Sequence, residues 1–311
     1  GGLRVERASI LTDVVLFDSL GYAPNDPRRA YSTSYPLANP GTLAETNLLP
    51  SANLIYKLRD SEETPMNIRL NFSQTVARPS IRELSDIAQL DYEYRVFVFG
   101  NSSLKTVHIN NYDMRWEAYS KSGDNVSASL FYKHFRNHIE MVKSIGLTWQ
   151  NVDNSYVTGL ELEGRKKVLK NLELRANLSL VYSQTEFVRK RLDLSDGVKV
   201  YYPLDTIRRP MFGQSPYVMN AIVTYTMEKI GMTITGSYNI QGPRLVIAAD
   251  VKEIPDIYER PRNLIDIKAS KTLGKHFSVS LSVKDLLNTS IRRSYKYDSG
   301  YNVDFDCYRY G

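Results

Sequence analysis

Apolar and polar residues alternate strictly through long stretches of this chain. Over 172–183 the even positions are Leu172, Leu174, Ala176, Leu178, Leu180 and Tyr182, and the odd positions are Glu173, Arg175, Asn177, Ser179, Val181 and Ser183. A β-strand has a side-chain period of two, so the two sets point to opposite faces, one greasy and one carrying charge and hydroxyls. The pattern recurs with Phe277, Val279, Leu281 and Val283 against Ser278, Ser280, Ser282 and Lys284. It recurs with Ile68, Leu70 and Phe72 against Asn67, Arg69, Asn71 and Ser73, and with Ala128, Leu130 and Tyr132 against Ser127, Ser129, Phe131 and Lys133. A strand of about ten residues with an apolar outside and a wet inside is what a tilted strand of a membrane β-barrel needs.

The breaks between such segments alternate in length. Short turns fall at 59–64, 120–124, 168–171, 227–231 and 273–275, and long connections at 13–45, 79–105, 139–146, 190–213 and 241–260, with an open segment over 289–311. Eleven strands fit between them, at 2–12, 47–58, 66–76, 107–119, 125–137, 147–167, 172–187, 215–226, 232–240, 263–271 and 277–286. Outer-membrane barrels have short periplasmic turns and long extracellular loops, whereas a soluble sandwich has no reason to sort its connections this way. The predicted fold is therefore all-β: an antiparallel transmembrane β-barrel with long extracellular loops and short periplasmic turns. Eleven is odd, single-chain bacterial barrels are even, and the eleventh strand runs outward. These counts predict that 1–311 is the C-terminal part of a larger barrel, with the last strand absent.

Composition changes this picture little. The apolar content is 42% and the mean hydropathy is slightly negative, but alternation hides a lipid-facing half from any average. Tyr numbers 22, against 10 Phe and 2 Trp; such residues supply the aromatic girdles of a barrel and also suit any β-sheet. The net charge of +6 comes from 40 basic and 34 acidic residues, and the basic ones form no stripe, so no nucleic-acid partner is predicted. Cys307 has no second cysteine to join. His134 and His138 lie four apart, which aligns them on a helix but not in this alternating context, so no metal site is predicted.

No nucleophile elbow, zincin helix, phosphate loop or C-x-x-C is present, and no enzyme activity or cofactor is predicted. Glu161, Glu163 and Arg165 share one face of a strand, as do Asp113, Arg115 and Glu117, and Arg175 falls at a polar position of the next strand. Paired carboxylates can do acid–base work; here they read as a lumen-facing charge ladder, which water or an inserted domain can satisfy and lipid cannot. In the predicted outer loops Arg28 and Arg29, Arg189 and Arg191, Tyr201 and Tyr202, and Arg208 and Arg209 are candidate ligand-binding residues, because Arg and Tyr grip anionic or ring-bearing ligands. Their alternative role is a solvated surface facing lipopolysaccharide.

A series of short motifs, in order along nearly the whole chain, resembles the TonB-dependent outer-membrane receptors. Arg78-Pro79-Ser80-Ile81-Arg82-Glu83-Leu84 resembles their R-P-S-x-R-E-L, and Gly100-Asn101-Ser102-Ser103-Leu104 their G-N-x-x-L. Asn111-Tyr112-Asp113-Met114-Arg115-Trp116-Glu117 is similar to N-Y-D-L-R-W-E. Ser129-Leu130-Phe131-Tyr132-Lys133 with Phe135 to Glu140 resembles S-L-F-Y-K-x-F-x-x-P-I-E, with His138 at the proline position. Asn151 through Glu163 resembles N-x-x-x-A-x-x-x-G-x-E-L-E, and the segments beginning at Gly213 and Arg260 continue the match. The resemblance implies a barrel of about twenty-two strands in the outer membrane of a Gram-negative bacterium. It also implies a plug domain and a TonB box that takes energy from the inner membrane, both absent here. The implied partners are the TonB energy-coupling complex, the remaining barrel and plug segments, outer-membrane lipid and a surface lipoprotein.

Three function classes follow. The first is part of an energised receptor that imports a scarce solute such as a siderophore, glycan or peptide. The second is a passive porin or an adhesin barrel. The third is a soluble β-sandwich binding module, which requires the apolar face to be buried in protein.

Overall fold

The computed structural model describes residues 1–12, 40–92, 96–143, 146–193, 200–297 and 302–308. In chain order its elements are β1 (Gly2–Leu11), β2 (Thr42–Arg59), β3 (Met66–Ala77), α1 (Ile81–Leu84), β4 (Ala88–Asp91), β5 (Val96–Phe99), β6 (Val107–Tyr119), β7 (Asn125–Lys143) and β8 (Leu147–Leu169). They continue with β9 (Leu172–Asp193), β10 (Val200–Arg209), β11 (Tyr217–Met227), β12 (Met232–Gln241), β13 (Arg244–Ala249), β14 (Asp256–Glu259), β15 (Arg262–Leu273), β16 (Phe277–Val283), β17 (Ile291–Lys296) and β18 (Asn302–Tyr308).

Eleven long strands form one antiparallel sheet in the spatial order β1, β2, β3, β6, β7, β8, β9, β11, β12, β15, β16. All eleven predicted strands are present. Their registers place like with like. One row runs Leu54, Leu70, Met114, Leu130, Leu160, Leu180 across six strands, and the adjacent row on the opposite face runs Ile55, Arg69, Arg115, Ser129, Glu161, Ser179. A one-residue slip anywhere would carry an entire greasy row to the polar side, so the pattern itself specifies the register. The first row faces outward: Leu130 is 56% exposed and Leu54 61%. Above it Phe72, Tyr112, Tyr132, Tyr156 and Tyr182 make a continuous chain of rings with centroids 5.1–6.2 Å apart. An exposed apolar band bordered by aromatic rings is the lipid-facing surface of a membrane barrel.

Where they are described, the long connections carry further strands; most of 13–45 lies outside the described residues. The predicted loop 139–146 is mostly strand, because β7 runs to Lys143 and β8 starts at Leu147. Met141, Val142 and Leu147 are buried there, so pairing continues above the membrane where side chains find an apolar core of their own. β13 lies parallel to the tip of β7, with Ala248 opposite Val142, and β5 lies parallel to β8, with Val98 opposite Leu147. The segment 289–311, expected to be open, contains the β17–β18 hairpin, and β17 pairs with β14. Val98, Met141, Leu147, Val246, Ile247 and Ile257 meet in one cluster with Trp149, Phe212 and Tyr295 packed on it. These connections thus fold into a cap with its own core.

Candidate functional site

Polar structure forms three layers from the periplasmic turns up to and including the cap. The lowest is the charge ladder on the polar face of the wall. The Arg69 Nε donates to Glu117 at 2.6 Å, and Arg115 reaches Glu117 at 3.3 Å and Glu163 at 2.9 Å. Arg115 also donates to the Ser129 hydroxyl at 3.1 Å, and the Ser127 hydroxyl donates to Glu163 at 3.3 Å. Next to this cluster Arg165 and Arg175 both hold Glu173, at 2.8 and 2.5 Å. Arg115, Glu117, Glu163, Arg165 and Arg175 therefore converge in two linked groups on one face. Glu161 shares that face, and no ion pair is formed by it among the described residues. Asn177, Asn220 and Asn239 extend the row along β9, β11 and β12 by amide-to-amide hydrogen bonds. Such a wall presents both charges and both halves of amides on its polar face.

The second layer is the rim, where the short motifs turn out to be hydrogen-bond hubs. Arg78 clamps two strands at once, donating to Glu6 of β1 at 2.9 Å and to Glu45 of β2 at 3.2 Å, and the Thr106 hydroxyl joins Glu45 at 2.7 Å. Ser80 and Glu83 cap α1 reciprocally, each side chain accepting from the other's backbone N–H, and Leu84 is fully buried beneath. Gly100 lies so close to that turn that a Cβ would sit 1.7 Å from the Ser85 carbonyl oxygen, which only glycine permits. Asn101 donates to the Trp149 carbonyl, and Asn151 donates to the carbonyls of Asn137 and Lys105. In the wall below, Gly159 faces Phe131 across the β7–β8 ladder, and its missing side chain is the space the Phe131 ring occupies.

The third layer is the cap. Arg209 is buried and forms a two-pronged ion pair with fully buried Glu140, at 2.5 and 3.2 Å, while its guanidinium lies 4.9 Å over the Phe187 ring. Arg208, next in sequence, is exposed and pairs with Glu186 at 2.9 Å. Arg189 is mostly buried and reaches Asp205 at 3.6 Å, and Arg191 is exposed on β9. Tyr201 and Tyr202 fall in β10, paired with Leu192 and Arg191. Arg28 and Arg29 lie outside the described residues. Of the loop arginines, Arg209 is thus part of the internal framework of the cap, and Arg191 and Arg208 face outward.

Between His134 and His138 the β7–β8 register is unchanged, but the backbone kinks at Asn137. Asn137 takes a left-handed φ of 57°, so His134 shares the face of Tyr132 while His138 is carried into the cap beside Phe135. Burial, and then the positive charge of Arg209, lowers the His138 pKa from 6.5 to about 4 and holds its ring neutral. Sequence reasoning did not single out Glu140 or His138 as cap residues. Their signal was faint: one acid and one histidine in a run otherwise rich in Ile, Met and Val.

The chain resembles solved receptors in fold. It matches the ferric enterobactin receptor PfeA of Pseudomonas aeruginosa, in a mutant form, with a TM-score of 0.53 at 16% identity over 83% of this chain and 39% of that one. The siderophore receptor PirA of the same organism gives 0.53 at 13% identity, over 80% of this chain and 41% of the receptor. FpvA of P. aeruginosa, solved with a bound ferric pyoverdine, gives 0.52 at 14% identity, over 83% and 31%. The chain spans well under half the length of each of these receptors. Among curated proteins, none matches this sequence. A family model described as the outer membrane protein beta-barrel family matches residues 2–310. With its alternating strands, its aromatic ring and its exposed apolar band, this chain belongs to the outer membrane protein beta-barrel family and resides in the outer membrane.

Proposed function

We propose that this chain forms part of the wall and mouth of an energised outer-membrane receptor, which captures a scarce extracellular solute and imports it into the periplasm with energy supplied through a TonB complex. The observation that carries the reading is the pairing of a charged, amide-rich inner wall with a folded cap above it. An always-open pore has no use for a cap with its own apolar core. A ferric siderophore is the first substrate class to test, because the receptors of similar fold are described as binding ferric enterobactin and pyoverdine. Exposed Arg191 and Arg208 are the candidates to meet an anionic chelate as it approaches, and the Arg115–Glu163 ladder is the candidate lining of the route below. The plug, the other barrel strands and a surface lipoprotein are partners of the same reading.

The test is uptake by the intact protein in proteoliposomes, offered ferric enterobactin, ferric pyoverdine, an oligosaccharide or a peptide, with and without the energy-coupling complex. Uptake of one class that stops when the complex is removed is the expected result. Uptake that continues without the complex overturns the energised mechanism.

A further inference from the structure

The outer face of the wall carries a feature that solute import does not require. At and just below the ring of aromatic residues, Leu70, Phe72, Tyr112, Met114, Leu130 and Tyr132 line an apolar groove of about 640 Å³. Directly above the ring, on the same outward face, the side chains become polar and basic. Asn110 stands opposite His134, and one step higher His108 stands opposite Arg136. Arg136 in turn faces Asn154 of β8, and all of these positions share the side of the sheet that carries Tyr112 and Tyr132.

The heights match a lipid interface. Two residues advance a strand by roughly 6–7 Å, so with strand tilt His134 lies roughly 5 Å and the His108–Arg136 pair roughly 10 Å above the ring. A bilayer headgroup layer is about 5–8 Å deep on each side of the hydrocarbon, within reach of a histidine or arginine side chain at those levels. Charge at this level is not self-compensated: Arg136 and His108 are exposed, and neither forms an ion pair among the described residues. Glu186, a carboxylate of the same parity on β9, is held by Arg208 at 2.9 Å. The ring lies toward the end of the wall that carries the long connections, which is the extracellular end, so the leaflet it meets is the outer one.

We propose that this patch is a binding site for a phosphorylated lipid of the outer leaflet, with acyl chains along the Phe72–Tyr112–Tyr132 groove and a headgroup phosphate held by His108, His134 and Arg136. Arginine takes a phosphate by two parallel charge-assisted bonds, and the two imidazoles add donors on either side of it. The site faces away from the lumen and the cap. It rests on the membrane placement of the chain and not on the transport reading.

The test uses the protein purified from outer membranes, with lipid retention followed by native mass spectrometry during titration with diphosphorylated lipid A. Parallel arms use dephosphorylated lipid A and inorganic phosphate. The protein is expected to retain the diphosphorylated lipid, with retention falling roughly tenfold in Arg136→Gln and further in His108→Gln/His134→Gln/Arg136→Gln. Arg136→Lys is expected to restore part of it, and the folded-barrel gel mobility of each variant checks that the wall is intact. Equal retention of the dephosphorylated lipid, or variants that bind as the parent does, would overturn the proposal. Displacement of the lipid by millimolar inorganic phosphate would overturn it as well, by showing a general anion site.

Discussion

The wall and the cap are built from the same kinds of strand and obey opposite rules. In the wall Leu130 is 56% exposed, while Glu117, Ser127 and Ser129 are buried on the other face. In the cap Val142, Leu245 and Ala248 are fully buried. β7 obeys both rules in one strand. Below Asn137 it sends Leu130 and Tyr132 to lipid and Ser127 and Ser129 to the wet side; above Asn137 it sends Met141 and Val142 into an apolar core. The difference lies in the solvent. Lipid accepts apolar side chains at no cost and forbids unpaired polar groups, whereas water drives apolar side chains together. One residue in the left-handed region marks the change between the two regimes, while the β7–β8 register runs on unchanged.

The comparison can be broken most severely at Arg209. Replacing it with Ala leaves Glu140 buried without its partner, at a cost of about 3–5 kcal/mol. Proteolysis should then cut the cap readily while the wall keeps its resistance to heat and denaturant. A wall that loosens together with the cap would show that the two are one cooperative unit.

Leu130→Arg attacks the other region. A charge on the lipid face near mid-membrane costs about 2–4 kcal/mol, where the same change at an ordinary water-exposed position is worth about 0.5 kcal/mol or less. Denaturant titration of the variant in lipid vesicles measures it, and a negligible loss would mean that Leu130 does not face hydrocarbon.

Acid acts on the cap through His138. Its pKa is about 4 in the folded protein and near 6.5 when exposed, so between these values the unfolded cap binds a proton that the folded cap refuses. Cap stability is therefore fully present above about pH 6.5 and falls as pH drops toward 4, by up to about 3 kcal/mol. Hydrogen exchange of cap amides should show this slope, and His138→Gln should flatten it. The smallest effect is expected at the junction. Asn137→Ala places a Cβ-bearing residue without a helping amide at φ 57°, costing about 1 kcal/mol, visible as faster exchange at the β7–β8 tip with the rest of the wall unchanged.

The wall was legible because lipid imposes a simple code. Every second residue of 172–183 is apolar, and that alone determines which faces are formed, which register is allowed and where the turns must fall. The Arg115–Glu117–Glu163 ladder was visible for the same reason, since charges on one parity of neighbouring strands must share a face. The cap was hidden. Val98, Leu147, Val246 and Ile257 come from three separate connections or their edges, and nothing local in 139–146 or 241–260 says which distant segment will bury them.

Arg208 and Arg209 mark the limit. As neighbours in sequence they are alike, and one became an exposed rim charge and the other the buried partner of Glu140, 69 positions away. The chain by itself determined the strands, their two faces and the membrane they belong to, because a period of two is a local property that hydrocarbon and water read residue by residue. Only the tertiary structure decided how the loops close, because burial in the cap depends on contacts between segments far apart in sequence, and no local pattern carries that information.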